Sequence, residues 1–308
     1  MRLEDIQIRD PFVLRDEGKW YLYGSTDKDI WRADAAGFDA YISTEPADQA
    51  PGEFSGPVPA FRPPRGFWSS KNFWAPEVYA CRGEYYMFAT FKPHETMNHG
   101  RRGTASLKAK SLPGPFVPWS AGPITPKDWE CLDGTLHIDP QGMPWMVFCR
   151  EWQQVGNGEI YAVPLTEDLR EAAGEPRLLF RADEAPWVRP LKGRAPGSYV
   201  TDGPFLYAPK NGALNMLWSS FTGAGYALGL AVSQGGGVMG PWQHQETPLY
   251  CRDGGHGMVF HTADGRIHLA IHSPNNTPME RALFIGLIEG PGGILEASGP
   301  VAAALNNP

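Results

Sequence analysis

The sequence predicts an all-β fold, a five-bladed β-propeller in which residues 1–308 form one domain. The first observation behind it is a phrase that recurs five times. A polar residue or alanine beside Pro or Gly opens an apolar run, and a Gly eight to ten residues later opens a second one. The copies begin at Asp10-Pro11, Ala75-Pro76-Glu77, Asp133-Gly134, Asp202-Gly203-Pro204 and His256-Gly257; their second runs begin at Gly18, Gly83, Gly142, Gly212 and Gly265. The second observation is spacing: these glycines lie 65, 59, 70 and 53 residues apart. Repeats of that length, each made of several short strands, point to a radial array, and five copies to five blades. The third is punctuation, because 36 Gly and 30 Pro exceed a fifth of the chain, as many short strands and tight turns require.

The elements follow in order. Residues 11–14 read as a strand, 16–18 as a turn and 20–23 as its hairpin partner, since short apolar runs bounded by Gly and charged residues are the strand signal. Residues 38–43 form a third strand, and the Pro-rich stretch 51–64 reads as a surface loop leading to the second repeat. There residues 73–77 open the inner strand and 104–109 make an outer one. Residues 92–102 are polar and read as a loop over one face, with Arg101-Arg102 as a solvated pair. Pro113-Gly114-Pro115-Phe116 and Met239-Gly240-Pro241-Trp242 read as turns into outermost strands. Only residues 166–173 hint at a helical period.

Bulk properties narrow the partners. A formal charge of −7 without any Lys/Arg run argues against nucleic acid. No apolar run is long enough to span a membrane. The start, MRLEDIQIRDPF, has no apolar signal core, so the cytoplasm is the expected location. Cys81, Cys131, Cys149 and Cys251 are far apart with no CxxC pair, and read as reduced, mostly buried thiols. The oligomeric state is not legible.

In a propeller the innermost strand of each blade runs along the central axis, so equivalent positions meet there. Those positions carry Asp10, Ala75 (with Glu77 two residues on), Asp133, Asp202 and His256. Three carboxylates and an imidazole converge there on a narrow funnel, and the crowded like charges raise one another's pKa, so that one acid stays protonated near neutral pH. An acid/base hydrolase needs that arrangement. Taken singly, Asp-Pro and Asp-Gly are also ordinary turn dipeptides; it is recurrence that points to a shared site. Trp74 and Phe73, near the start of an inner strand, are candidates to wall that site with an apolar ring face, with Trp31 and Trp152 as further ones.

As a set, Arg9-Asp10-Pro11-Phe12, Phe73-Trp74-Ala75-Pro76-Glu77, Leu132-Asp133-Gly134-Thr135-Leu136-His137, Asp202-Gly203-Pro204-Phe205 and Gly255-His256-Gly257 resemble glycoside hydrolase family 43, the five-bladed propellers that include arabinofuranosidases and xylosidases. The resemblance implies an inverting mechanism. Asp10 would be the general base that activates water, and Asp133 would tune and orient the acid. The family's acid is normally a Glu in the fourth-blade phrase, where this chain has Asp202. The missing methylene shortens the reach by roughly 1.5 Å, so Glu77, Glu130, Glu151 and Glu159 are weighed as substitutes, Glu151 foremost. His256 resembles the family's axial histidine, which in many members binds a water-coordinated calcium or holds the axis by hydrogen bonds. No cofactor is required; a structural calcium on the axis is the one metal in question, though hard cations prefer oxygen. Arg281 resembles an Arg that some members aim at sugar hydroxyls.

Related fructosidase propellers also use Arg-Asp-Pro and Glu-Cys phrases, but their Asn-Asp-Pro phrase occurs nowhere here. The expectation is therefore an exo-acting hydrolase of plant-derived oligosaccharides. It would remove a terminal α-L-arabinofuranosyl unit, with β-D-xylosyl and β-D-galactofuranosyl as neighbouring choices. The competing class is a catalytically silent sugar-binding propeller, motivated by Asp202.

Overall fold

The computed structural model of the protein describes residues 1–210 and 212–298; the last ten residues of the expected 1–308 domain lie outside them. Five four-stranded antiparallel sheets follow one another along the chain, each in sequence order. Their inner strands are Arg9–Asp16, Ser69–Cys81, Cys131–Ile138, Asp202–Tyr207 and Gly255–His261. Each pairs with a second strand: Lys19–Ser25, Glu84–Pro93, Pro144–Arg150, Asn215–Phe221 and Ile267–Ser273. This is the predicted five-bladed propeller.

Alternating side chains interleave between blades, because successive residues of a strand face opposite sides of the sheet. The largest buried cluster joins Trp20, Tyr23, Phe38, Phe61, Phe73 and Phe91 of the first two blades. The third strand, Phe38–Ser43, has the predicted bounds. The predicted loop at 51–64 instead contains the outermost strand of the first blade, Ser55–Phe61. Proline obscured it: Pro57 and Pro59 lack a ladder donor, a defect tolerated at a sheet edge. The expected Gly-Pro-aromatic turns do lead into the outermost strands Val117–Pro118 and Trp242–His244. Residues 166–173 form turns and a single Leu165–Ala172 bridge, with no helix.

The ring closes beside the chain start. The Ile8 amide donates to the Glu280 carbonyl at 3.2 Å, Gln7 bridges Arg281, and Ile6 and Ile8 are buried. Among the described residues no helix is long and apolar enough to cross a membrane.

Each inner strand bulges where it meets the axis. In the first blade Arg9 pairs with Ser25, and the next paired residues are Phe12 and Tyr23, so the inner strand carries one extra residue. The other four blades repeat this skip, with Trp74–Thr90, Leu132–Cys149, Asp202–Ser219 and Gly255–His272 in the place of Arg9–Ser25. The residue after each of these inner positions turns left-handed: Asp10, Ala75, Asp133, Gly203 and His256 have φ of 55°, 46°, 55°, 47° and 49°. This corrects the expected register. The structural equivalent of Asp10 and Asp133 in the fourth blade is Gly203, and Asp202 stands one residue earlier, level with Arg9 and Trp74.

Candidate active site

The bulges surround a cavity of about 660 Å³ whose walls include Asp10, Asp133, Asp202, Glu151, His256 and Trp74. A left-handed residue at each bulge bends its strand inward, which carries buried side chains to the axis. Within this frame Asp10 is held by four groups. Ser25 donates its hydroxyl to Asp10 Oδ2 at 3.0 Å. The Arg9 guanidinium lies 3.6 Å from Oδ1 and His256 Nδ1 lies 3.2 Å from it. The Asp10 amide donates to His272 Nδ1 at 3.2 Å. Burial alone pushes the Asp10 carboxyl up, but attraction to His256 and Arg9, with the Ser25 bond, outweighs it and holds the group below the usual carboxylate range. Burial and the Arg9 charge push His272 down to about 3, so its imidazole is neutral and acts as the acceptor that geometry requires.

Asp133 and Asp202 behave in the opposite way. Both carboxyls are raised far above the usual range, by burial first. Asp10 adds to the effect on Asp133, and Asp133 adds to the effect on Asp202. Two crowded carboxylates in a dry site do not both ionise at neutral pH, so the pair retains a proton. Asp133 Oδ2 accepts the Gly203 amide at 3.0 Å and lies 3.6 Å from His256 Nδ1. The Tyr226 hydroxyl donates to Asp202 Oδ2 at 3.0 Å. One ionised carboxylate thus shares a cavity with a pair that retains a proton, so the cavity holds both a base able to activate water and an acid able to protonate a leaving group.

The remaining sequence candidates separate. Trp74 lines the cavity, its indole N–H anchored on the Ile30 carbonyl at 2.8 Å and its ring 5.1 Å from Trp31. Trp31 and Trp152 also line it, and Trp31 is 54% exposed. Phe73, the neighbour of Trp74, faces the other side of the strand, is 2% exposed, and packs on Phe38, Phe61, Phe67 and Phe91. It belongs to the core and does not reach the cavity. Glu77 is buried near the axis but does not line the cavity either. It accepts the Tyr79 hydroxyl, and burial pushes it up to about 7. Arg281 turns away: its guanidinium donates to the carbonyls of Glu4, Pro278 and Glu280, where the ring closes. Glu130 and Glu159 are tied to arginines at the edge of the third blade.

Glu151 does line the cavity, bound at 2.9 Å by Arg102. Burial raises its carboxyl by more than Arg102 lowers it. Arg102 was read as half of a solvated pair, yet it is 9% exposed, also bonds Glu130 at 3.0 Å, and lies 5.2 Å over the Trp74 ring. No local pattern announces it, since all its partners are distant in sequence. Arg9, Tyr226, His272 and Asn275 were likewise missed as site residues. Arg9 donates to Asn275 at 2.6 Å and to the buried Glu280 at 3.2 Å. Its position beside Asp10 was the one available signal.

His256 turns its Nδ1 toward two carboxylates, and its ring covers Gly203, where an added Cβ would lie 2.6 Å from the ring. Among the described residues no group of three or more His, Cys, Asp or Glu side chains is arranged to hold a metal ion. His256 is thus not one of a set of direct protein ligands to a metal ion.

An axial propeller cavity lined by an ionised carboxylate and a proton-sharing pair suits acid/base hydrolysis, the chemistry of the glycoside hydrolases. Within that class, the model of the glycosyl hydrolases family 43 matches residues 5–289, and the chain belongs to that family. It is 38% identical to an endo-arabinase from Bacteroides thetaiotaomicron, over 96% of this chain and 99% of that one, with a TM-score of 0.84. An endo-1,4-beta-xylanase from the same organism is 24% identical over 96% and 95%, with a TM-score of 0.73. An alpha-L-arabinofuranosidase from Lactobacillus brevis is 18% identical over the full length of both chains, with a TM-score of 0.71. These last two likenesses are of fold alone. Among curated proteins none matches.

Proposed function

We propose that this glycoside hydrolase inverts configuration at a terminal furanosyl or pentosyl unit, with α-L-arabinofuranosyl the preferred sugar. Asp10 is the general base, its ionised carboxylate drawing a proton from water as the water attacks the anomeric carbon. Asp202 is the general acid, and Asp133 raises its proton affinity through their shared crowding. The observation that carries this reading is the opposed surroundings of the carboxylates: His256, Arg9 and Ser25 hold Asp10 below the usual carboxylate range, whereas burial and crowding raise Asp133 and Asp202. Trp74 and Trp31 supply apolar ring faces for the sugar, while Arg9 and Arg102 present guanidinium N–H groups to its hydroxyls. In an inverting site the two carboxyls stand roughly 6.5–9.5 Å apart so that a water fits. Arabinose is favoured because the 38% identical relative bears the name endo-arabinase. Exo action is favoured because a cavity of about 660 Å³ fits a chain end better than a long polymer segment.

The test is a screen against aryl α-L-arabinofuranoside, β-D-xyloside, β-D-galactofuranoside and linear arabinan, with Asp10→Asn as the blank. Turnover of the arabinofuranoside and stepwise release of arabinose, both abolished in the blank, support the reading. Mid-chain cleavage of arabinan without attack on its ends would replace exo with endo action. Asp202→Asn should slow poor leaving groups far more than activated aryl groups, and equal losses on both would remove Asp202 from the acid role. Glu151→Gln showing that same leaving-group bias would transfer the role to Glu151.

A further inference from the structure

The five bulges are clipped to their neighbours by one repeated hydrogen bond, and one clip is built differently. The residue of the second strand that pairs beside each bulge reaches across to the next blade's left-handed amide. Ser25 Oγ accepts the Ala75 amide at 2.9 Å. Thr90 Oγ1 accepts that of Asp133 at 2.8 Å. Ser219 Oγ accepts that of His256 at 2.8 Å. His272 Nδ1 closes the ring by accepting the amide of Asp10 at 3.2 Å. The third blade offers Cys149 at this position, paired with Leu132. A thiol is a poor acceptor, and this one is fully buried, with the Thr201 side chain as its hydrogen-bonding neighbour. The Gly203 amide, left without the usual partner, bonds Asp133 Oδ2 at 3.0 Å instead.

We propose that Cys149 is a positioning residue: by not accepting the Gly203 amide, it leaves that amide to Asp133 and so ties the strand of Asp202 to the carboxylate beside it. A hydroxyl or imidazole at Cys149, as in the other four blades, would take the amide and release Asp133 from its anchor. The exchange matters at this interface alone, because only here do both adjoining bulges carry cavity carboxylates, Asp133 on one strand and Asp202 on the next. The other charged or titratable groups facing Asp133 are Asp10, Arg9, Glu77, Glu151, Tyr226 and His256, and none is altered by a change at Cys149. The inference rests on the proposed roles of Asp133 and Asp202.

The experiment compares the pH profile of kcat/KM for wild type, Cys149→Ser, Cys149→Thr and Cys149→Ala, with thermal unfolding as the check on folding. An amide bonded to ionised Asp133 favours its ionised form, so losing that bond makes the pair hold its proton to higher pH. The alkaline limb should move up by about one unit in Cys149→Ser or Cys149→Thr. Cys149→Ala, which also lacks an acceptor, should keep the limb where wild type has it. Equal profiles in all four, or a shift in Cys149→Ala as large as in Cys149→Ser, would overturn the proposal. Failure of the underlying reading looks different: Asp202→Asn would then show no leaving-group bias, whatever the Cys149 variants do.

Discussion

Asp10, Asp133 and Asp202 are the same side chain held in different charge states, and single neighbours account for the difference. Asp10 faces His256, the Arg9 guanidinium and the Ser25 hydroxyl, whereas Asp202 faces another carboxylate and a tyrosine hydroxyl. The pH dependence of turnover follows. With the proposed roles, the rate should rise with pH as Asp10 ionises, at a pH below the ordinary carboxylate range, and fall as the Asp133–Asp202 pair loses its proton, far above that range. A bell-shaped kcat/KM profile with widely separated limbs is the expected result. Ser25→Ala removes a bond that favours ionised Asp10, so its acid limb should move to higher pH. Asp10→Asn should lower kcat by on the order of 10²–10⁴-fold while thermal unfolding shows the fold retained. At this scale the sequence was informative about which acids converge and silent about their partners. Arg102, Tyr226 and His272 touch the site through contacts tens of residues away in the chain, and no short pattern encodes those.

The element that organises the site is the left-handed bulge of each inner strand. Recurrence of Asp-Pro, Ala-Pro, Asp-Gly and His-Gly made it legible, since an inner strand interrupted by Pro or Gly at the same point in each repeat has a common backbone reason. The register was misread by one residue in the fourth blade because Asp202 resembles Asp10 chemically, whereas the backbone equivalence runs through Gly203. Phe73 and Trp74 were likewise paired by chemistry, although the period of a strand sends neighbours to opposite faces. Gly203 is the most demanding of the five bulge residues. Its φ is 47°, and an added Cβ would lie 2.6 Å from the His256 ring. Gly203→Ala should cost about 1–3 kcal/mol in backbone strain, displace His256, and abolish most activity. Urea unfolding and steady-state kinetics check the two effects separately.

Across the whole molecule, the propeller needs closure, and the chain start provides it. Ile6 and Ile8 are buried where the first and fifth blades meet, and Arg281 secures the same seam by bonding three carbonyls, one of them Glu4. Ile8→Ala should therefore destabilise the protein by about 2–5 kcal/mol, read in urea unfolding, with kcat of the folded enzyme little changed. The five-fold architecture was legible because the repeat spacing is a whole-chain signal. The seam was not, because its partners stand at opposite ends of the sequence and carry no motif. In the proposed mechanism one ionised and one protonated carboxylate act on opposite sides of the scissile bond. Proton NMR of the first-formed sugar, during turnover of the α-linked substrate identified by the screen, tests it most directly. Inversion releases the β anomer before mutarotation; initial release of the α anomer would mean retention and would remove Asp10 and Asp202 from their proposed roles.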